Sequence, residues 1–259
     1  MYSSKAYKYN MHDHHTTTLL HLDSRHRTNS QSDGGGKAVF HLSTPLRPIS
    51  CVELISASIP VSWYSVVQNK NAFTLSHGGN DSTVTIVPGQ YTLATLAQAI
   101  TSAINIANFQ VTTHQPTLRL VFQFNAAFTV RIPSEELASV LGFTAVNTPF
   151  ASVNNALTSP SIPELIPAYV FFCVKQLGSG YSSGTGREEP ALFMIPVDQV
   201  SGGNLNFNSQ SHYAQPKKYD VSMYRQIAQL DVDVRDSSFG NTIDFNGLPW
   251  SIVLRVTHV

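Results

Sequence analysis

Charge is scarce in this chain of 259 residues. Asp, Glu, Lys and Arg make up only 12% of it, about half of the ~25% usual in soluble domains. Sixteen basic and sixteen acidic side chains cancel to a formal net charge of zero, with a pI near 7.2. No basic footprint for nucleic acid or an anionic membrane exists at the level of the whole chain. A neutral, weakly charged surface favours association instead, a first sign of an assembly protein. Cysteine is nearly absent. Cys51 and Cys173 lie far apart in apolar runs and form no CxxC pattern, which excludes a zinc ribbon or disulfide scaffold and reads as two buried thiols in a reducing compartment. Long hydrophobic runs are missing too. The longest, 168–174, is far short of the ~18 residues of a membrane span. The start, Met1-Tyr2-Ser3-Ser4-Lys5, has no apolar core of a secretory signal, and Tyr2 stands where myristoylation requires glycine.

The 42% of hydrophobic residues suffices for a sizeable core, and their spacing is mostly that of strands. Segments 38–43, 49–59, 72–76, 82–87, 109–113, 117–124, 127–132, 166–177 and 191–197 read as strands separated by turn formers. Residues 72–87 read as a hairpin around His77-Gly78-Gly79-Asn80, and 109–132 as a three-stranded meander. Leu93, Leu96, Ala97, Ile100, Ile104 and Ala107 fall at helical spacing behind Thr92, which predicts an amphipathic helix over about 92–107. Ser134 caps a second, short helix over about 134–141, stopped by Gly142. Residues 1–18 read as a mobile, His-rich N-terminal arm, 30–36 as a flexible glycine loop, and 144–164 and 178–218 as loop insertions in one domain spanning 19–259. The chain closes on two more strands. From Gln229 to Val234 polar and apolar residues alternate, and 251–257 alternates again, so the two read as a closing hairpin. Strands without regular intervening helices argue for an all-β sandwich over a parallel βαβ fold.

Four constellations invite a chemical reading. The Asp231, Asp233, Asp236 and Asp244 cluster fails as a calcium loop, because Arg235, Asp236 and Thr242 stand where the pattern needs Asp or Asn, Gly and Glu. Asp231 and Asp233 share the strand face opposite Leu230, Val232 and Val234, which is how a solvated stripe looks. Gly180-Tyr181-Ser182-Ser183-Gly184 matches a nucleophile elbow, yet Gly184, Gly186 and Pro190 follow where a helix is required. His12, His14 and His15 lie in the arm without a partner cysteine. Arg25, His26 and Arg27 read as an ion-paired strand entry. No catalytic, metal or cofactor site is expected. Arg25, Arg27, Asp231, Asp233 and Arg235 are kept as candidate subunit or particle contacts.

Several pieces stand in a suggestive order. Asp23-Ser24-Arg25 is followed by Ile59-Pro60-Val61-Ser62-Trp63-Tyr64, then by Val84-Thr85-Ile86-Val87-Pro88-Gly89-Gln90-Tyr91-Thr92 before the helix. Leu141-Gly142-Phe143 closes the short helix, and Asp244-Phe245-Asn246-Gly247-Leu248-Pro249-Trp250 precedes the last strand. Together they resemble the small jelly-roll capsid proteins, pentons in particular, of large double-stranded DNA viruses, virophages and polinton-like elements. The resemblance implies a single jelly roll, five copies of which ring each icosahedral vertex of a virion. The implied partners are further copies of the chain, a double-jelly-roll major capsid protein, and minor capsid or fibre proteins. From the residues themselves, no cofactor, enzyme activity or secretory route is expected. Two other classes compete: a carbohydrate-binding or host-attachment sandwich using Tyr181 and Tyr213, and a sandwich-fold hydrolase using Ser182 or Asp231 and Asp233.

Overall fold

A computed structural model describes residues 16–29, 34–177, 181–182, 188–189, 191–199, 202–209, 217–218, 226–236 and 241–258. The elements run β1 (Thr17–Asp23), a 3-10 turn (Ser24–His26), β2 (Lys37–Leu46), β3 (Ile49–Pro60), β4 (Ala72–His77), β5 (Asn80–Thr85), α1 (Leu93–Ile104), β6 (Gln110–His114), β7 (Arg119–Gln123), β8 (Phe128–Arg131), α2 (Glu135–Leu141), β9 (Pro149–Ala151), β10 (Ala156–Thr158) and β11 (Tyr169–Val174). Then follow β12 (Tyr181–Ser182), β13 (Glu188–Glu189), β14 (Ala191–Pro196), β15 (Asn204–Asn208), β16 (Lys217–Lys218), β17 (Ile227–Asp236) and β18 (Ser251–His258).

Two sheets form the sandwich. One has the order β1-β18-β3-β15, with β16 also on β3; the other has the order β14-β11-β17-β2. All these pairings are antiparallel. Set aside β16, and the eight long strands taken in chain order occupy the places first, eighth, third and sixth in one sheet, and second, seventh, fourth and fifth in the other. That is the double Greek key of a jelly roll. The all-β, jelly-roll expectation therefore holds, helices included. Alternation builds the core: Ile252, Leu254 and Val256 of β18 meet Leu230, Val232 and Val234 of β17 in one buried cluster with Phe172, Phe245 and Trp250.

Residues 66–165 pack around a second hydrophobic cluster of their own. It lies between the sheets β5-β4-β8-β9 and β10-β7-β6 and the two helices. Thr92 caps α1 by accepting from the Thr95 N–H at 3.2 Å, while Thr95 Oγ1 accepts from the Thr92 N–H at 2.9 Å. Leu96, Ala97, Ile100 and Ile104 form its buried stripe. The helix ends before the expected 107, because Asn105 turns left-handed with φ 48°. Ser134 and Gly142 cap α2 as expected.

Several expectations about pairing are corrected. β17 and β18 form no hairpin; they belong to opposite sheets. The 109–132 meander breaks after β7, since β8 pairs with β4 and β9. A strand precedes 38–43: Thr17 to Asp23 pair with Thr257 to Ser251, so residues 17 and 18 of the expected arm are already in a sheet. The 144–164 stretch carries β9 and β10, and β15 lies in the stretch read as irregular. Residues 1–15 and much of 178–225 lie outside the described residues.

Candidate functional site

Three of the segments that carry the resemblance, 23–25, 59–64 and 244–250, converge at one corner of the sandwich. After β1, Asp23 starts the 3-10 turn, its Oδ1 accepting from the Arg25 N–H at 2.9 Å. The Arg25 guanidinium grips the same carboxylate through Nε at 3.0 Å to each oxygen and Nη2 at 2.6 Å. That grip lowers the pKa of the buried Asp23 from 3.8 to about 2. Ser24 Oγ accepts from the Trp250 N–H at 2.9 Å, and the Ser24 N–H donates back to the Trp250 carbonyl at 2.9 Å. The fully buried Trp250 indole donates to the Gly35 carbonyl at 2.9 Å and meets Phe40 and Phe172 edge-on.

The glycine segment, expected as a flexible loop, is a close-packed part of this corner at positions 34–36. Phe245 N–H donates to the Gly34 carbonyl and Val234 N–H to the Gly36 carbonyl, both at 2.8 Å. Gly34 has φ +63°, and a Cβ there would stand 2.4 Å from Asp244 Cγ. At Gly36 a Cβ would stand 2.1 Å from the Ile243 carbonyl oxygen. Only glycine fits such an approach.

The corner also anchors the inserted unit. Where the chain leaves β3, Ser62 Oγ donates to the Phe245 carbonyl at 2.8 Å and Asn246 Nδ2 to the Ser62 carbonyl at 2.5 Å. Trp63 meets Phe245 edge-on at 6.0 Å. Beside this junction lies a cleft of about 570 Å³. One wall is the sandwich segment Asn241 to Asn246; the other comes from the inserted unit, with Tyr64, Val67, Lys70 and Glu136. Lys70 and Glu136 form an ion pair across the latter wall. Burial raises the Glu136 pKa, but hydrogen bonds from Lys70 and Ser134 outweigh it and leave the carboxyl below its ordinary value.

The five candidate contact residues come from two separate stretches of the chain. Arg25 and Arg27 follow β1 of the first sheet, whereas Asp231, Asp233 and Arg235 lie on β17 of the second. Arg25 is pinned to Asp23, yet its side chain is 69% exposed. Asp233 accepts from Arg235 Nε at 2.8 Å and Thr242 Oγ1 at 2.7 Å. Asp231 accepts from Gln229 Nε2 at 2.5 Å, and its own N–H donates to Gln176 Oε1 at 2.8 Å. These carboxylates are thus tied into side-chain bridges along the outer face of β17. Of the elbow motif, Tyr181 and Ser182 form a strand paired with Glu188 and Glu189, and the rest lies outside the described residues. Tyr213 and the three arm histidines lie outside the described residues. Cys173 is buried and Cys51 half-buried, on opposite sheets. Among the described residues no group of three metal-ligating side chains occurs, and no helix is long and apolar enough to cross a membrane.

The jelly-roll sandwich with a unit inserted between its third and fourth strands defines the class of fold. No protein-family model and no curated protein sequence matches the chain. Among solved structures it is similar to the selenomethionine-labelled mavirus penton protein, at a TM-score of 0.49 and 7% identity, over 94% of this chain and 100% of that one.

Proposed function

We propose that this chain is a structural capsid protein, a penton whose five copies close a ring at the five-fold vertices of a double-stranded DNA virus. The observation that carries this reading is the strand order, β1-β18-β3-β15 against β14-β11-β17-β2. The fold alone hosts many functions. What narrows it is the ordered set of segments 23–25, 59–64, 84–92, 141–143 and 244–250, which resembles the penton proteins. Three of those segments meet at the corner built around Trp250. The zero net charge and 12% charged residues suit a surface that associates. The carboxylates of β17, engaged with Arg235, Thr242 and Gln229, are assigned no catalytic role.

A ring needs one surface of each copy to meet a different surface of the next, closing after five. Each contact buries about 1,000 Å² or more if the ring is stable. Arg25 and Arg27 at one corner and the β17 stripe of Asp231, Asp233 and Arg235 on the second sheet are proposed as polar rims of such contacts. A lattice of double-jelly-roll major capsid protein surrounds the ring, and fibre or minor capsid proteins are the partners at its centre. Light scattering with negative-stain imaging of the purified chain tests this, with five-fold rings expected. A strictly monomeric species at high concentration that is also missing from purified virions overturns it.

A further inference from the structure

We propose that the cleft between the two cores binds a neutral oligosaccharide, stacked on Tyr64 and held by the side chains of Gln68, Asp244 and Asn246. Its volume of about 570 Å³ falls within the ~300–1,000 Å³ of small-molecule sites, which favour the seam between two packed units. It lies at such a seam, where the sandwich segment 241–246 faces the inserted unit. This inference goes beyond the capsid reading and does not depend on it.

Sugars are amphipathic. Their C–H faces pack on aromatic rings, and their hydroxyls pair with planar side chains that donate and accept at once. The lining offers both kinds of group. Tyr64 is 44% exposed and flanked by Val67, also exposed, and by Pro88. That ring and its apolar neighbours need not be at the surface for the fold, because Trp63 next to them already makes the core contact with Phe245. The polar groups keep spare capacity. Asp244 uses Oδ1 for the Asn246 N–H at 2.8 Å, and Asn246 uses Nδ2 for the Ser62 carbonyl. Those bonds fix both side chains and leave Asp244 Oδ2 and Asn246 Oδ1 as acceptors on lining residues of the cleft. Gln68 stands exposed on the opposite wall.

Charge selects the class of sugar. Lys70 is the cation among the described lining residues, and Glu136 holds it in an ion pair. Asp244 then leaves the cleft acidic, which disfavours phosphate, sulfate and sialic acid. An uncharged glycan meets no such penalty. The polypeptide of a neighbouring copy would pair through its backbone with an open strand edge, whereas the groups offered here are side chains.

The test is a neutral and acidic glycan array on the full-length chain, followed by titration of hits such as mannotetraose and cellotetraose, read by intrinsic tryptophan fluorescence and calorimetry. Saturable binding to neutral glycans is expected. Tyr64→Ala should weaken it about tenfold, which corresponds to ~1.4 kcal/mol, while Tyr64→Phe, which keeps the ring, stays within about threefold. Tyr64 is exposed, so both Tyr64 variants are expected to fold, and an unchanged melting temperature confirms that. The proposal is overturned if no neutral glycan binds, if acidic glycans are preferred, or if binding survives Tyr64→Ala. Ring formation is scored on the same preparations, so loss of glycan binding with intact rings, or the reverse, separates the two readings.

Discussion

The sandwich and the inserted unit solve the same problem at opposite ranges of sequence. In the sandwich, β1 pairs with β18, and Thr18 Oγ1 bonds His258 Nε2 at 3.0 Å across almost the whole chain. Of the eight jelly-roll strands, only β11 and β14 are both consecutive and paired. In the inserted unit β4 pairs with β5 and β6 with β7 across short turns, and both helices carry their own caps. Local pairings close short loops and form early; distant ones must wait until both chain ends are present. The inserted unit can therefore order while the sandwich cannot, and the corner around Trp250 is where the second becomes possible.

The sharpest way to break that contrast is to remove the last strand. Truncation before Gly247 deletes Trp250 and all of β18, which lies between β1 and β3 and buries Ile252, Leu254 and Val256. We expect the sandwich to fail entirely, while amides of β4–β7 and α1 keep their protection in hydrogen exchange. A soluble truncated chain with protected β3 and β17 amides would show that the sandwich does not depend on its C-terminal strand.

The same difference in range decides what could be read from the sequence. Thr92, Ser134 and Gly142 announce helix ends within a few residues, and both helices appear where they were expected. The 72–87 hairpin is likewise local. Alternation in 229–234 correctly assigns which side chains of β17 are buried, since period two is a property of one strand. It carries no information about which strand lies alongside, so a strand on each side of a turn reads as a hairpin even when the two belong to opposite sheets. β1 shows no alternation at its outer end, where Thr17, Thr18 and Leu19 are all exposed. The cleft was illegible for a further reason. Its walls, near residues 64–70, 136 and 241–246, are brought together by the junction at Ser62, Trp63 and Phe245 and by Asn241 Nδ2, which donates to Glu136 Oε1 at 3.4 Å. The glycines at 34–36 look like a flexible linker in composition, and only the approach of Ile243 and Asp244 shows why no side chain fits there.

Those glycines give the next largest effect. Gly36→Ala places a methyl 2.1 Å from a backbone carbonyl oxygen of a neighbouring segment. We expect a loss of about 3 kcal/mol or more, seen as a lower denaturant midpoint. In the inserted unit Gly79→Ala meets nothing within 4 Å, although its φ is +81°. There the cost is backbone strain alone, about 1 kcal/mol. Equal costs at the two sites would remove the distinction between a close-packed corner and an open hairpin.

Trp250→Phe probes the same corner by deletion. It strands the buried Gly35 carbonyl and opens space beside Phe40 and Phe172. A loss of about 2–4 kcal/mol follows from the combined hydrogen bond and cavity. Phe122→Leu in the second core removes ring area without stranding a polar group, and should cost about 1–1.5 kcal/mol. Chemical denaturation of both variants checks the ranking.

The smallest effect is electrostatic, and it distinguishes the corner by pH. The Arg25 guanidinium holds the Asp23 carboxyl at about 2, below the 3.8 of an unperturbed aspartate. A depressed folded-state pKa means that the charged form is favoured by folding, so its contribution is complete above 3.8 and drains away as pH falls through about 2. Arg25 is 69% exposed, and solvent screens the pair, so the contribution is small. Asp23→Asn should therefore destabilise the chain at neutral pH and lose its effect near pH 2, with the difference also shrinking in high salt. Glu136, lowered by Lys70 and Ser134, acts in the same direction from the inserted unit. Glu136→Gln should shift the acid unfolding of that unit and leave the sandwich transition in place. If both substitutions moved a single common transition, the two cores would be one cooperative unit, and the independence argued from their pairing ranges would be lost.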